Sequence, residues 1–167
     1  MLRETAMMLE QQMVLFEDDF EKIQKLCQDL AADTNAKLVF LVDKNGQLIA
    51  TSGDTGTMDT TSLATLAAGN IAATSGLAKL IGEKEFSILF HEGERDNLHL
   101  STIAERLILV VVFDHRTSLG LVRLLVRKSS RKLEELFVEI NSKRGTREQN
   151  TIFTEITDED IDNLFND

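Results

Sequence analysis

Seven consecutive apolar residues, Leu107-Ile108-Leu109-Val110-Val111-Val112-Phe113, place the strongest constraint on how this chain folds. The run is too short to cross a bilayer as a helix, which takes ~20 residues. As a strand it has no polar side to offer to water. It therefore belongs in the middle of a sheet with both faces covered.

Other segments supply the neighbours of such a strand. Leu38 to Val42 is a short apolar run rich in strand formers. Asp43-Lys44-Asn45-Gly46 makes a tight turn, and Gln47 to Ser52 returns as the second arm of a hairpin. Phe86 to His91 and Asn97 to Ser101 read as two more strands, with Gly93 and Asp96 in the loop between them. Ala104-Glu105-Arg106 is a short turn into the last strand. Within this pattern His99 alternates with Leu98 and Leu100, so it is expected to point outward.

Three helices complete the pattern. Phe16, Phe20, Ile23, Leu26 and Leu30 recur at spacings of three and four, with acidic residues crowding the first turns. Asp33 to Asn35 ends that helix. The second runs from Thr60 to Ile81, between a cap at Asp59 to Ser62 and a stop at Gly82. The third begins at Thr117 or Ser118 and reaches about Ser142. Its buried stripe is Val122, Leu125, Val126, Ser129, Leu133, Leu136, Phe137 and Ile140. The order predicts an α+β fold, a sandwich of the α/β/α type around a five-stranded antiparallel sheet. Residues 1–12 are expected as an N-terminal extension, 13–142 as the domain, 143–156 as a polar linker and 157–167 as an acidic amphipathic tail.

Composition narrows the function. Eighteen basic residues against 28 acidic ones give a formal charge of -10. Nucleic acid and anionic lipid both require basic surface to replace counterions, so neither nucleic-acid binding nor membrane insertion is expected. Cys27 is the single cysteine and lies on the apolar side of the first helix, as a buried small hydrophobe would. The N-terminus lacks the apolar core of a signal peptide, and the cytosol follows by elimination.

The second helix carries two faces almost free of charge. At ~100° per residue, Leu63, Leu66, Ala67, Asn70, Thr74, Leu77 and Ile81 share one side, which is expected to pack on the sheet. Ala64, Ala68, Ala72, Ser75 and Gly76 fall nearly opposite, where a solvated helix would carry Lys, Glu or Gln. Alanine is a good helix former, and that alone would account for part of the pattern. Gly69, Ser75 and Gly76 are not good formers, since Gly costs about 1 kcal/mol relative to Ala. Small residues also let a second backbone approach, so this side is a candidate protein interface, self-association included.

The third helix is locally basic. Arg116, Arg123, Arg127, Lys128, Arg131 and Lys132 hold six of the 18 basic residues, with no acid among them. Such a run either pairs with this chain's own acids or docks an acidic patch on a partner, with Arg123, Arg127, Lys128 and Arg131 as the candidates. The tail from Thr151 has acids and no Lys or Arg, and Ile161, Leu164 and Phe165 align at i, i+3 and i+4. It reads either as a solubilising end or as a short motif that docks in a groove.

Motifs for chemistry are missing. There is no phosphate-binding glycine loop, no G-x-G-x-x-G and no G-x-S-x-G, and His91, His99 and His115 lack metal-ligand spacing. Asp54-Thr55-Gly56 matches the tripeptide of aspartic proteases but lacks the apolar strand that should present it, so it reads as a loop. No catalytic residue, metal or cofactor is expected.

Several segments together resemble the Roadblock/dynein light-chain family. They include residues 36–49 (AKLVFLVDKNGQLI), 59–64 (DTTSLA), 76–83 (GLAKLIGE), 90–93 (FHEG), 116–123 (RTSLGLVR) and 160–165 (DIDNLF). The resemblance is to the bacterial branch that partners a Ras-like GTPase of the MglA type. It implies a homodimer that binds the GTP-loaded partner and stimulates hydrolysis, in bacterial cell polarity and gliding motility, with a place at a cell pole. It further implies that the activator inserts no arginine finger but holds the GTPase's own residues in the active arrangement. Ala72 and Gly76 match positions on the family's partner-facing helix, and the tail is implied to contact the GTPase. The alternative is a Roadblock scaffold that binds a GTPase or motor complex without accelerating hydrolysis.

Overall fold

The computed structural model describes residues 17–155, with side chains through residue 145. The expected order of elements is the order found: α1 (Glu17–Thr34), β1 (Leu38–Asp43), β2 (Leu48–Gly53), α2 (Thr60–Leu80), β3 (Ile88–Glu92), β4 (Asn97–Ile103), β5 (Leu107–Phe113) and α3 (Leu119–Glu155). The expected N-terminal extension, Phe16 and the acidic tail with Ile161, Leu164 and Phe165 lie outside the described residues.

Every strand pair is antiparallel, and the sheet order is β2-β1-β5-β4-β3. β5 is the central strand and all seven of its residues are buried. This is the position its unbroken apolar run requires, because a helical layer covers each face. On one face Leu38, Phe40, Val42, Leu100, Ile108, Val110 and Val112 pack against Ala64, Ala67, Ala68 and Ile71 of α2. The alternate residues of each strand point the other way. There α1 lies across β1 and β2, and its Gln24 Nε2 donates to the Thr51 carbonyl at 2.6 Å. Fully burying an aliphatic side chain contributes about 1.5–3 kcal/mol, so this sheet, apolar on both sides, is the main source of stability.

The helix ends follow from local chemistry. Asp59 caps α2 by accepting from the Ser62 amide at 3.1 Å and the Ser62 hydroxyl at 2.6 Å. Those bonds hold its carboxyl below the usual carboxylate range. At the other end Gly82 takes φ +80, while the Glu83 amide donates to Ala78 and the Gly82 amide to Lys79. That paired return closes the helix with a left-handed residue.

The chain divides into two compact units, Met1–Glu134 and Glu135–Asp167. The first contains the sheet, α1, α2 and the start of α3. In the second, residues 143–155 are helical rather than the expected linker, because α3 continues to Glu155. The polar run has no Pro and is rich in Lys, Arg, Glu and Gln, which are good helix formers. Lys143 also pairs with Glu139 one turn back, at 3.2 Å. A single Gly145 is too weak a breaker to end the helix.

Cys27 is buried as expected, and burial pushes its thiol up to about 12. A thiol held protonated and covered is a poor nucleophile. Alkylation of the native protein at mildly alkaline pH is expected to proceed no faster than unfolding, with full labelling in denaturant. Rapid stoichiometric labelling of the native protein would contradict this burial. Gly53 has φ +107, and a Cβ there would overlap the Lys37 carbonyl oxygen and sit 3.0 Å from the Leu38 Cα. Gly53→Ala is expected to cost about 2–4 kcal/mol through strain and clash. A urea melt reads the change, and a shift below ~0.5 kcal/mol would mean the backbone relaxes there freely.

Candidate partner-binding surface

α2 presents its faces in an order the sequence pattern does not reveal. Ala64, Ala67, Ala68, Ile71 and Ala78 are the buried residues of this helix. Ala64 and Ala68, expected on the partner side, therefore face the sheet, and Ala64 is 0% exposed. Ala72 and Gly76 are exposed and Ser75 is half-buried. Leu66, Leu77 and Ile81, expected against the sheet, are instead 70%, 60% and 67% exposed. The physical reason is volume. The sheet already fills the layer with Phe40, Leu38 and Ile108, so small helix residues let the two layers close. At the near end the approach is backbone to backbone, since a Cβ on Gly46 would lie 3.2 Å from the Thr65 Cα.

The outer side of α2 is thus an uncharged strip with small residues between large ones. Leu66, Gly69, Ala73, Gly76, Leu77 and Leu80 share it, and all are exposed. Leu80 is 84% exposed. Ala72 lies along one border. Exposed apolar side chains gathered on one side make it a candidate interaction surface. At the sheet edge, β3 pairs only with β4 among the described residues, and its Ile88 is half exposed. An edge strand with an apolar side chain is a second place where another chain can add.

The basic run of α3 does not form one surface. Arg116 is taken up by Asp114, its Nε 2.9 Å from the carboxylate, which holds Asp114 below the usual carboxylate range. Arg123 and Arg127 line a cavity of about 520 Å³ together with Ser87, His99, Ser101 and Ser130. Lys128 and Arg131 are exposed; at ~100° per residue Arg131 continues the side of Arg123 and Arg127, while Lys128 lies on another side of the helix. His99, expected to point outward, is 1% exposed. β4 has a helical layer on both faces, so alternation sends Leu98 and Leu100 toward α2 and His99 toward α3. Burial first, and the nearby Arg123 charge second, hold the His99 imidazole below its ordinary range. Neither ring nitrogen meets a hydrogen-bonding partner among the described residues, and the same is true of the Ser101 hydroxyl. Each such atom costs about 1–3 kcal/mol when left unsatisfied.

Asp54 lies in the expected loop, and its Oδ1 accepts from the Gly56 amide at 2.9 Å. No helix among the described residues is long and apolar enough to cross a membrane.

The described residues thus form an α/β/α sandwich with an antiparallel 2-1-5-4-3 sheet and one uncharged helix face turned outward. Residues 22–113 match the Roadblock/LC7 domain, and the chain belongs to that family. It is similar to Myxococcus xanthus MglB, with 55% identity over 77% of this chain and 96% of that one, at a TM-score of 0.73. The gliding protein MglB of Thermus thermophilus is 34% identical over 75% of this chain and 96% of that one, at a TM-score of 0.69. An MglB with a tetrameric arrangement is 32% identical over 76% of this chain and 96% of that one, at 0.71. No curated protein sequence matches the chain.

Proposed function

We propose that this chain is a homodimeric activator of a Ras-like GTPase of the MglA kind, acting in bacterial cell polarity and motility without a catalytic site of its own. The carrying observation is the exposed strip of α2, in a protein 55% identical to an MglB over most of its length. A helix that leaves Leu66, Leu77 and Leu80 in water is costly unless another chain covers them. In this reading the leucine side of the strip and the β3 edge meet a second copy about a two-fold axis. The border with Ala72 and Gly76 takes the GTPase, where the lack of side chain lets the partner's backbone come close. Holding the GTPase's own catalytic residues in place can accelerate phosphoryl transfer by orders of magnitude without chemistry from the activator.

The test is GTP hydrolysis by the cognate MglA-like GTPase, with and without a substoichiometric amount of this protein. Multiple-turnover acceleration is the expected result. Binding without acceleration would replace the activator by a scaffold, and an absence of both would remove this GTPase as the partner.

A further inference from the structure

The cavity between β3, β4 and the first turns of α3 plays no part in the function proposed above, and its lining is chemically specific. His99 and Ser101 come from successive α3-facing positions of β4, and Arg123, Arg127 and Ser130 come from one side of α3. His99 and Ser101 are buried and bring three polar atoms with no partner among the described residues. Arg123 and Arg127 form no ion pair with a carboxylate among the described residues. In a chain of net charge -10, two unpaired guanidinium groups beside an unsatisfied imidazole concentrate positive potential in one concave place.

We propose that this cavity binds a phosphate group, carried by a small phosphate monoester or present as free phosphate. The donors decide the class. Two guanidinium forks, an imidazole N–H and the hydroxyls of Ser101 and Ser130 exceed what one planar carboxylate can accept, and they come from two opposing walls. A tetrahedral group with several strongly accepting oxygens matches donors that converge from different directions, and Arg pairs bind it bidentately. The volume of about 520 Å³ exceeds what the ion alone needs, and Ile88 and Val126 give the remaining wall an apolar surface for an organic substituent. A buried histidine also gains from an anion, because the ligand supplies the hydrogen-bond acceptor and counter-charge that the described residues do not. The inference is independent of the GTPase reading, since it uses the opposite face of the sheet from α2.

The experiment is calorimetric titration of the full-length protein at neutral pH and matched ionic strength. The probes are inorganic phosphate and glycerol 3-phosphate, with chloride as the control. Saturable phosphate binding is expected, with affinity reduced at least about tenfold in the Arg123→Gln/Arg127→Gln double variant. Both arginines are exposed, so that variant keeps the fold. His99→Gln is expected to weaken binding at least about threefold, and the imidazole NMR signals of His99 in the unaltered protein are expected to move on phosphate addition. Tighter binding of the ester assigns the organic source, and equal binding assigns free phosphate. No saturable response beyond chloride, or an unchanged affinity in the double variant, would overturn the proposal and leave a cavity filled by water.

Discussion

Ala64→Arg is expected to leave the domain largely unfolded. Ala64 has no exposed surface and sits among Leu38, Phe40, Ala68 and Ile71, where the helix lies close against the sheet. Overpacking such a site costs about 1–3 kcal/mol. Burying an unpaired guanidinium adds several kcal/mol more. Together these approach the whole stability of an ordinary domain, about 5–15 kcal/mol. Circular dichroism and a urea melt would measure it. A cooperative melt within ~1 kcal/mol of the unaltered protein would mean that residue 64 faces solvent, and the assignment of the two faces of α2 would be reversed.

Ala72→Arg and Gly76→Arg are expected to do the opposite: keep the fold and remove the partner. Both positions are exposed, and a Cβ on Gly76 meets nothing within 4 Å. Replacing Gly76 by a good helix former recovers about 1 kcal/mol of propensity, so stability should hold or rise slightly. At an interface that depends on close backbone approach, a long charged side chain is a wedge that cannot be desolvated cheaply. Affinity for the GTP-loaded GTPase is expected to fall at least about a hundredfold, roughly 2.7 kcal/mol. Sedimentation of the variants separates the two surfaces. Loss of GTPase binding with the dimer intact would support the division of the strip. Loss of both would assign Ala72 and Gly76 to self-association, and unchanged binding would discard the face altogether. Compared side by side, the Ala64 and Ala72 variants test the core against the proposed interface about two turns apart on one helix.

The two faces of α2 show why sequence periodicity reaches only part of this surface. Periodicity identifies a buried side by contrast with a polar one, and α2 offers no contrast. Both sides are almost free of charge, Lys79 excepted, so the usual assumption that larger residues point inward decides the assignment, and it places Leu66 and Leu77 against the sheet. The sheet's own bulk reverses that choice. His99 goes astray for a related reason. Alternation along β4 is legible, but the inference that alternate positions face water holds only where one face of the sheet is bare. The apolar stripe marks α3 as far as it runs. Its polar continuation looks like a linker because the stripe stops, although nothing in residues 143–155 breaks a helix strongly.

What the sequence determined alone is what depends on neighbours along the chain: three helices and five strands in order, the Asp59 cap, the Gly82 stop, the burial of Cys27 and the central place of β5. These follow from turn chemistry, capping and runs of like residues, which act over a few positions. The tertiary structure alone decided which side of α2 looks outward, and it alone brought His99 and Ser101 of β4 beside Arg123 and Arg127 of α3. Those outcomes depend on how volumes and charges meet between segments far apart in the chain, and a local pattern carries no record of the layer it will be packed against.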